Sequence, residues 1–261
     1  GALSVTSTGA VTGTSGAGIY ARNVSTSTSL TISAAAVTGA TEGIYASNYG
    51  TGTLSVTVSG AVAGGTGAGI STQSNAGGAV AIRLLSTSSV TATSGAAIVD
   101  GVGNAVVTID AGAVVTGSIA LGDGNDTLNI ASGVSLAGVT SLNGGSGAFI
   151  DELNLNTGWS GALGDWELMN IDTSGGGYTL SGIISGTGSL TKLGAGALTL
   201  SGVNTFSGGL TISAGSVSGA ANNFGTGNIV NNAALTFNQI SDGSFASVIS
   251  GTGSLTKLGA G

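Results

Sequence analysis

Eleven acidic residues and four basic ones are the whole stock of charged side chains in this sequence. Nine of the acids (Asp100, Asp110, Asp123, Asp126, Asp151, Glu152, Asp165, Glu167 and Asp172) fall in one stretch, and no Lys or Arg lies between Arg83 and Lys192. Paired carboxylates are the groups that cleave or eliminate across glycosidic bonds, with calcium or a basic residue as helper. That chemistry needs the acids close together on one face. Arg83 is the nearest base in sequence, and nothing in the sequence sets it beside them. A plainer reading is that Asp, a favoured turn residue, collects on solvated rims where the chain is irregular, or forms a flank that binds cations weakly.

The sharpest local signal is Gly122-Asp123-Gly124-Asn125-Asp126-Thr127-Leu128. It approaches the calcium-binding nonapeptide G-G-x-G-x-D-x-U-x, with Leu121 in place of the first Gly. Asp123, Asn125 and Asp126 are therefore the candidate calcium ligands, all with the oxygen atoms a hard cation requires. One copy supplies half a site. The other candidate, Asn143 to Asp151, starts well beyond the short spacing such nonapeptides keep and carries its acid late in the motif. The competing reading is a tight Gly/Asp turn in which Asp126 caps its own loop.

No His and no Cys occur. Ser-His-Asp and Cys-His nucleophilic sites and the usual zinc, copper and haem ligands are thereby excluded, so we expect no catalytic residue and no cofactor. Gly16-Ala17-Gly18, Gly67-Ala68-Gly69 and Gly186-Thr187-Gly188 precede no helical pattern and read as corners with positive φ, not as nucleotide loops. Trp159, Trp166, Phe149 and Tyr178 offer either a sugar-stacking platform or a plug for a widened core. Asn222, Asn223, Asn231 and Asn232 read as a turn or a stack of amides.

These residues must be held by a β-rich framework. Gly accounts for 51 of 261 residues and Pro is absent. Without proline or a three-residue period the chain is not collagenous, and 41% apolar residues with a mean hydropathy of +0.48 supply enough surface to bury. Charged residues are only 6% and the pI is about 4.1, which leaves no electrostatic footprint for nucleic acid or anionic lipid. Absence of cysteine fits export through an oxidising compartment. No apolar run of membrane-spanning length and no signal peptide is present. The sequence stops inside a motif that continues in its earlier copy, so it reads as a fragment.

Ile184 to Gly196 recurs residue for residue as Ile249 to Gly261, and the unit between the copies is about three coils long. The first half repeats more loosely. Strands centred on Leu3/Val5, Leu30/Ile32, Leu54/Val56, Val80/Ile82 and Val107/Ile109 recur at a spacing of roughly 24 to 27 residues, a solenoid period. Ile19, Ile44, Ile70 and Ile98 form a second series in step with them. The repeats of a solenoid bury their apolar faces only by stacking. Period-2 strands with short Gly and Asn turns, and no helix, predict an all-β, right-handed parallel β-helix of about eleven coils. The absence of proline suits strands that are nearly all central.

Residues 185–212, running Ser185-Gly186-Thr187-Gly188-Ser189-Leu190-Thr191-Lys192 through Leu198-Thr199-Leu200-Ser201-Gly202 to Asn204-Thr205-Phe206-Ser207-Gly208-Gly209, resemble the passenger-associated transport repeat of autotransporters. The order G-x-G-x-L-x-K-x-G, L-T-L-S-G, N-x-Y/F-x-G-G is preserved, with Phe206 in the aromatic place. The stretch from Leu121 to Ile171 resembles coils that precede such repeats. Periodicity, charge and this resemblance together predict one continuous solenoid in three parts: coils of 24–27-residue period at 1–115, acidic irregular coils at 116–180, and transport repeats at 181–261, the second cut short.

It further implies a secreted structural or adhesive stalk, not an enzyme. Such a stalk is exported across the outer membrane of a Gram-negative bacterium, displayed at the cell surface, and carried by a C-terminal outer-membrane β-barrel of the same full-length chain. Its expected partners are a host or neighbouring-cell surface, or further copies of itself, without membrane insertion of its own. A calcium-binding surface protein and a carbohydrate-active β-helix enzyme are the alternatives.

Overall fold

Alternation decides the architecture. Leu54–Val58 and Ile70–Ser74 bury every second side chain, the pattern of a strand with one face on a core and one toward solvent. The computed structural model, which describes residues 1–75 and 77–261, is all-β, with parallel strands stacked as a β-solenoid of about eleven turns among those residues. One short 3₁₀ turn, Ala221–Asn223, interrupts the strands. The chain forms two compact units, Gly1–Asp151 and Glu152–Gly261.

In the first unit one ladder runs Val5–Ile32–Val56–Ile82–Val107–Leu128, each step a parallel pairing of successive coils. A second runs Ile19–Ile44–Ile70–Ile98. Both series are the ones the sequence spacing marks out. Ile109 proves to lie one inward step further along, opposite Leu84 and not Ile82. From Ile32 onward the inward residues of both ladders are almost fully shielded, and each buried Ile, Leu or Val contributes roughly 1.5–3 kcal/mol.

Coils approach closely where the strands turn, and this corrects the reading of the glycine corners. Of the glycines in the three corner motifs only Gly186 has positive φ, at +99°. Room is what Gly18 and Gly69 provide: a Cβ on Gly18 would stand 2.5 Å from Val37 Cγ1 and 2.8 Å from the Thr38 carbonyl oxygen, and one on Gly69 would stand 2.7 Å from the Ala97 oxygen. The freed space lets Gly18 N–H donate to Glu42 O, Gly43 N–H to Ala68 O, and Gly69 N–H to Ala96 O. A continuous main-chain ladder thus passes through the corner.

The second unit has two faces. One ladder runs Leu153–Met169–Leu190–Leu210–Ile229–Ile249. The other runs Tyr178–Leu198–Val217–Leu235–Leu255 in a five-stranded parallel sheet. Trp166, Phe206 and Phe224 are fully buried, and Phe224 meets Phe237 edge to face at 4.9 Å between ring centroids. Leu190 aligns with Ile249 after three coils, yet its counterpart in the second motif copy is Leu255, which lies on the other face. The long repeat is therefore three coils plus one strand, and the same sequence pairs into a different sheet in each copy.

Candidate functional site

Three acids of the first unit, Asp100, Asp126 and Asp151, are buried around one corner, the turn from Asp100 to Ala105. Asp100 belongs to the ladder Ala21–Ala46–Thr72–Asp100, so it occupies an inward position where two earlier coils hold alanine. Asp126 follows Leu54, Val80 and Ala105 in the adjoining ladder, and its Oδ1 accepts the Ala105 N–H at 2.6 Å. Asp151 comes next, its Oδ1 accepting the Asp126 N–H at 2.9 Å. Relative exposures are 2% for Asp100, 1% for Asp126 and 3% for Asp151.

Each of the first two carboxyls has one satisfied oxygen and one orphan. Thr72 Oγ1 donates to Asp100 Oδ1, while Asp100 Oδ2 and Asp126 Oδ2 are buried without a hydrogen-bond partner. Burial pushes the Asp100 carboxyl up to about 7, against the opposing pull of Thr72 and the Gly101 N–H. Burial likewise pushes Asp126 up to about 7; the Ala105 N–H works against this, and the nearby charges of Asp151, Asp100 and Asp123 reinforce it. In lower coils the neighbouring corner is polar but neutral. Asn48 there donates to Gly52 O at 2.6 Å and accepts from Gly50 N–H, and Ser74 Oγ lies 3.1 Å from Gly78 O.

The loop expected to bind calcium is spent largely on joining coils. Asp123 bridges to Val102, Asn125 accepts the Ile150 N–H on Oδ1 while its own N–H donates to Asn104 Oδ1, and Asp126 caps the coil below instead of its own loop. Among the described residues no group of three or more acids, His or Cys stands close enough to hold a metal ion. Arg83, which the sequence could not place, forks onto Asp110 on the exterior, with Nη2 and Nε 3.0 and 3.1 Å from Oδ2. Trp159 and Trp166 are buried as core plugs, whereas Phe149 is exposed and the Tyr178 hydroxyl donates to Asn156 Oδ1.

In the second unit Lys192 is fully buried, and its ammonium donates to the carbonyls of Leu193, Gly194 and Ala214 at 2.8–2.9 Å. Burial lowers its pKa, with Asp172 pulling the other way. Side-chain amides form rungs beside it: Asn204 accepts the Ile184 N–H and donates to Asn223 O, and Asn223 accepts the Ala220 N–H and donates to Gly202 O. Asn223 and Asn231 thus serve both a turn and an inter-coil rung, since Asn231 takes the Ala233 N–H and donates to Ser254 O.

One exterior feature went unread in the sequence. Tyr20 and Tyr45 stack at 5.0 Å with planes 10° apart, Arg22 lies 5.3 Å over the Tyr49 ring, and Tyr49 donates its hydroxyl to Gln73. The recurrence of Ile-Tyr-Ala at 19–21 and 44–46 was the available signal. Once register is known, such a recurrence stacks outward rings directly on one another.

Residues 190–218 match the passenger-associated-transport-repeat family. No curated protein and no solved structure matches the chain. The matched residues hold Lys192, Asn204 and Phe206, which are the buried ammonium, an amide rung and an aromatic plug of the second unit. Together with the stacked parallel coils, the match fits an autotransporter passenger domain.

Proposed function

We propose that this chain is a stretch of the β-helical stalk of an autotransporter passenger, secreted and displayed at the cell surface, where it holds or forms an adhesive surface. The transport-repeat match at 190–218 carries the reading. A passenger β-helix points to a structural or adhesive role. The chemistry of the exterior agrees with it: 6% charged residues overall, and outward Ser and Thr such as Ser55, Thr57 and Ser71 that offer hydrogen bonds in place of charge. The transport repeat supports export and folding of the passenger through its internal staples, while a neighbouring cell, a host surface or a second copy supplies the partner.

The outward rings of Tyr20, Tyr45 and Tyr49 are the strongest candidate for an adhesive contact, because stacked aromatic residues give large contact area for few frozen torsions. Cells displaying the full-length protein are expected to settle together or bind surfaces faster than cells lacking it. Replacing the three tyrosines by Ala should weaken that behaviour while leaving the amount displayed unchanged. Full adhesion by the triple variant would leave the stalk reading and remove this patch from it; no adhesion by the parent would reduce the chain to a spacer.

A further inference from the structure

We infer that the corner lined by Asp100 and Asp126 binds a calcium-sized divalent cation inside the solenoid. The two residues stand at inward positions that other coils fill with Ala, Leu or Val, so the framework does not need polar groups there. What the acids add is two buried oxygens, Asp100 Oδ2 and Asp126 Oδ2, that no hydrogen bond satisfies. A buried polar atom without a partner is costly, and a buried carboxylate is costlier still unless a positive charge meets it. The sequence offers no Lys, Arg or His between residues 83 and 192, and Arg83 is committed to Asp110 on the exterior. A positive charge that meets the ionised carboxylates would therefore come from outside the chain.

The donors are of the right kind. Carboxylate and main-chain carbonyl oxygens are ligands for calcium and magnesium, not for softer metals. The carbonyl oxygens of Asp100 and Gly101 lie at the same turn, each 2.6 Å from where a Cβ of Gly122 would stand; the Gly101 oxygen accepts the Asp123 N–H and keeps one lone pair free. Asp151 stands beside them with its Oδ1 committed to the Asp126 N–H. Since no three acids are clustered among the described residues, the cation would rest on two carboxylates and main-chain oxygens. Calcium, with its flexible geometry and longer bonds, suits such a set better than magnesium. The site differs from the Asp123–Asn125 loop in lying within the core, between coils.

Equilibrium dialysis of the protein against calcium at about pH 8, where both carboxyls are ionised, tests the proposal alongside thermal unfolding. About one calcium per chain should be retained at millimolar concentration, the transition should rise with calcium by linkage, and magnesium should do less. Asp100→Asn and Asp126→Asn should each weaken retention by about tenfold or more, while Asp110→Asn should match the parent. No calcium retained by the parent overturns the proposal whether or not the variants fold. So does loss of binding in Asp123→Ala with full binding in Asp100→Asn, which would move the site to the loop.

Discussion

The ammonium of Lys192 lies 2.9 Å from the carbonyl oxygen of Ala214, joining two successive coils through a charge that no solvent reaches. Its other two bonds, to Leu193 and Gly194, hold its own turn. Lys257, the counterpart in the second motif copy, likewise donates to a carbonyl just beyond it, that of Gly259. The local half of the device is thus encoded in the repeat itself, even though the two copies pair into different sheets.

Replacing Lys192 by Met removes the donor and leaves the Gly194 and Ala214 carbonyls without it. A buried carbonyl stripped of its partner costs about 1–3 kcal/mol, partly offset because a buried charge is no longer desolvated. The expected outcome is a net destabilisation of about 1–3 kcal/mol, read as a lower midpoint in urea unfolding. An unchanged midpoint would mean that the ammonium is not a staple.

The raised carboxyls of Asp100 and Asp126 make stability pH-dependent. Their folded pKa of about 7 exceeds the ordinary value of 3.8, so the folded state keeps protons that the unfolded chain releases. In metal-free solution this contribution is fully present below about pH 4 and is lost as pH rises through about 7. One pKa unit corresponds to about 1.4 kcal/mol, so each of the two carboxyls should account for a loss of a few kcal/mol. Asp100→Asn and Asp126→Asn should each flatten the profile between those limits. A profile that rises with pH over that window in the parent would contradict the burial argument.

Glycines divide by location. Gly18→Ala and Gly69→Ala force a methyl against carbonyls and valines at 2.5–2.9 Å, and such overpacking costs about 1–3 kcal/mol. Gly16→Ala meets nothing within 4 Å and should change stability by less than about 0.5 kcal/mol. Thermal unfolding of the three variants side by side separates close approach from mere turn composition.

Arg83→Ala should cost no more than about 1 kcal/mol, because its bond to Asp110 stands at the solvent edge, with 60% of the arginine side chain exposed. High salt should erase most of the difference. A larger loss, persisting in salt, would show that the arginine holds more than this pair.

Much of the framework was legible in the sequence because it is periodic. Ile19, Ile44, Ile70 and Ile98 fall on one ladder, as do Val5, Ile32, Val56, Ile82 and Val107, since a coil can bury its apolar face only by setting like on like. What periodicity cannot carry is where a coil turns. Asp100 and Asp126 are close to one coil apart in the sequence, yet they sit on opposite sides of a corner, and Asp100 acts electrostatically on Asp126 only because the chain turns between Asp100 and Ala105. The second copy of the Lys192 motif slips by one strand because the coils of the second unit are shorter than those of the first, and the repeat is not a whole number of them. Asp126 was legible as a candidate ligand and Asp151 as the acid of the other half-motif, but their bonding was not: Asp126 takes the Ala105 N–H of the coil below, and Asp151 takes the Asp126 N–H. Arg83 and Asp110 are separated by one coil, and a charge scan along the chain has no way to join them.

The central claim, a parallel solenoid displayed outside the cell, is open to a single labelling measurement, because this stretch contains no cysteine of its own. Tyr20→Cys places a thiol on a side chain 66% exposed, and Ile70→Cys places one in the core at 0%. On intact cells making the full-length protein, a membrane-impermeant maleimide should label the first variant and spare the second until denaturant is added. Labelling of Tyr20→Cys only after lysis would contradict display, and equal labelling of both variants on intact cells would contradict the fold.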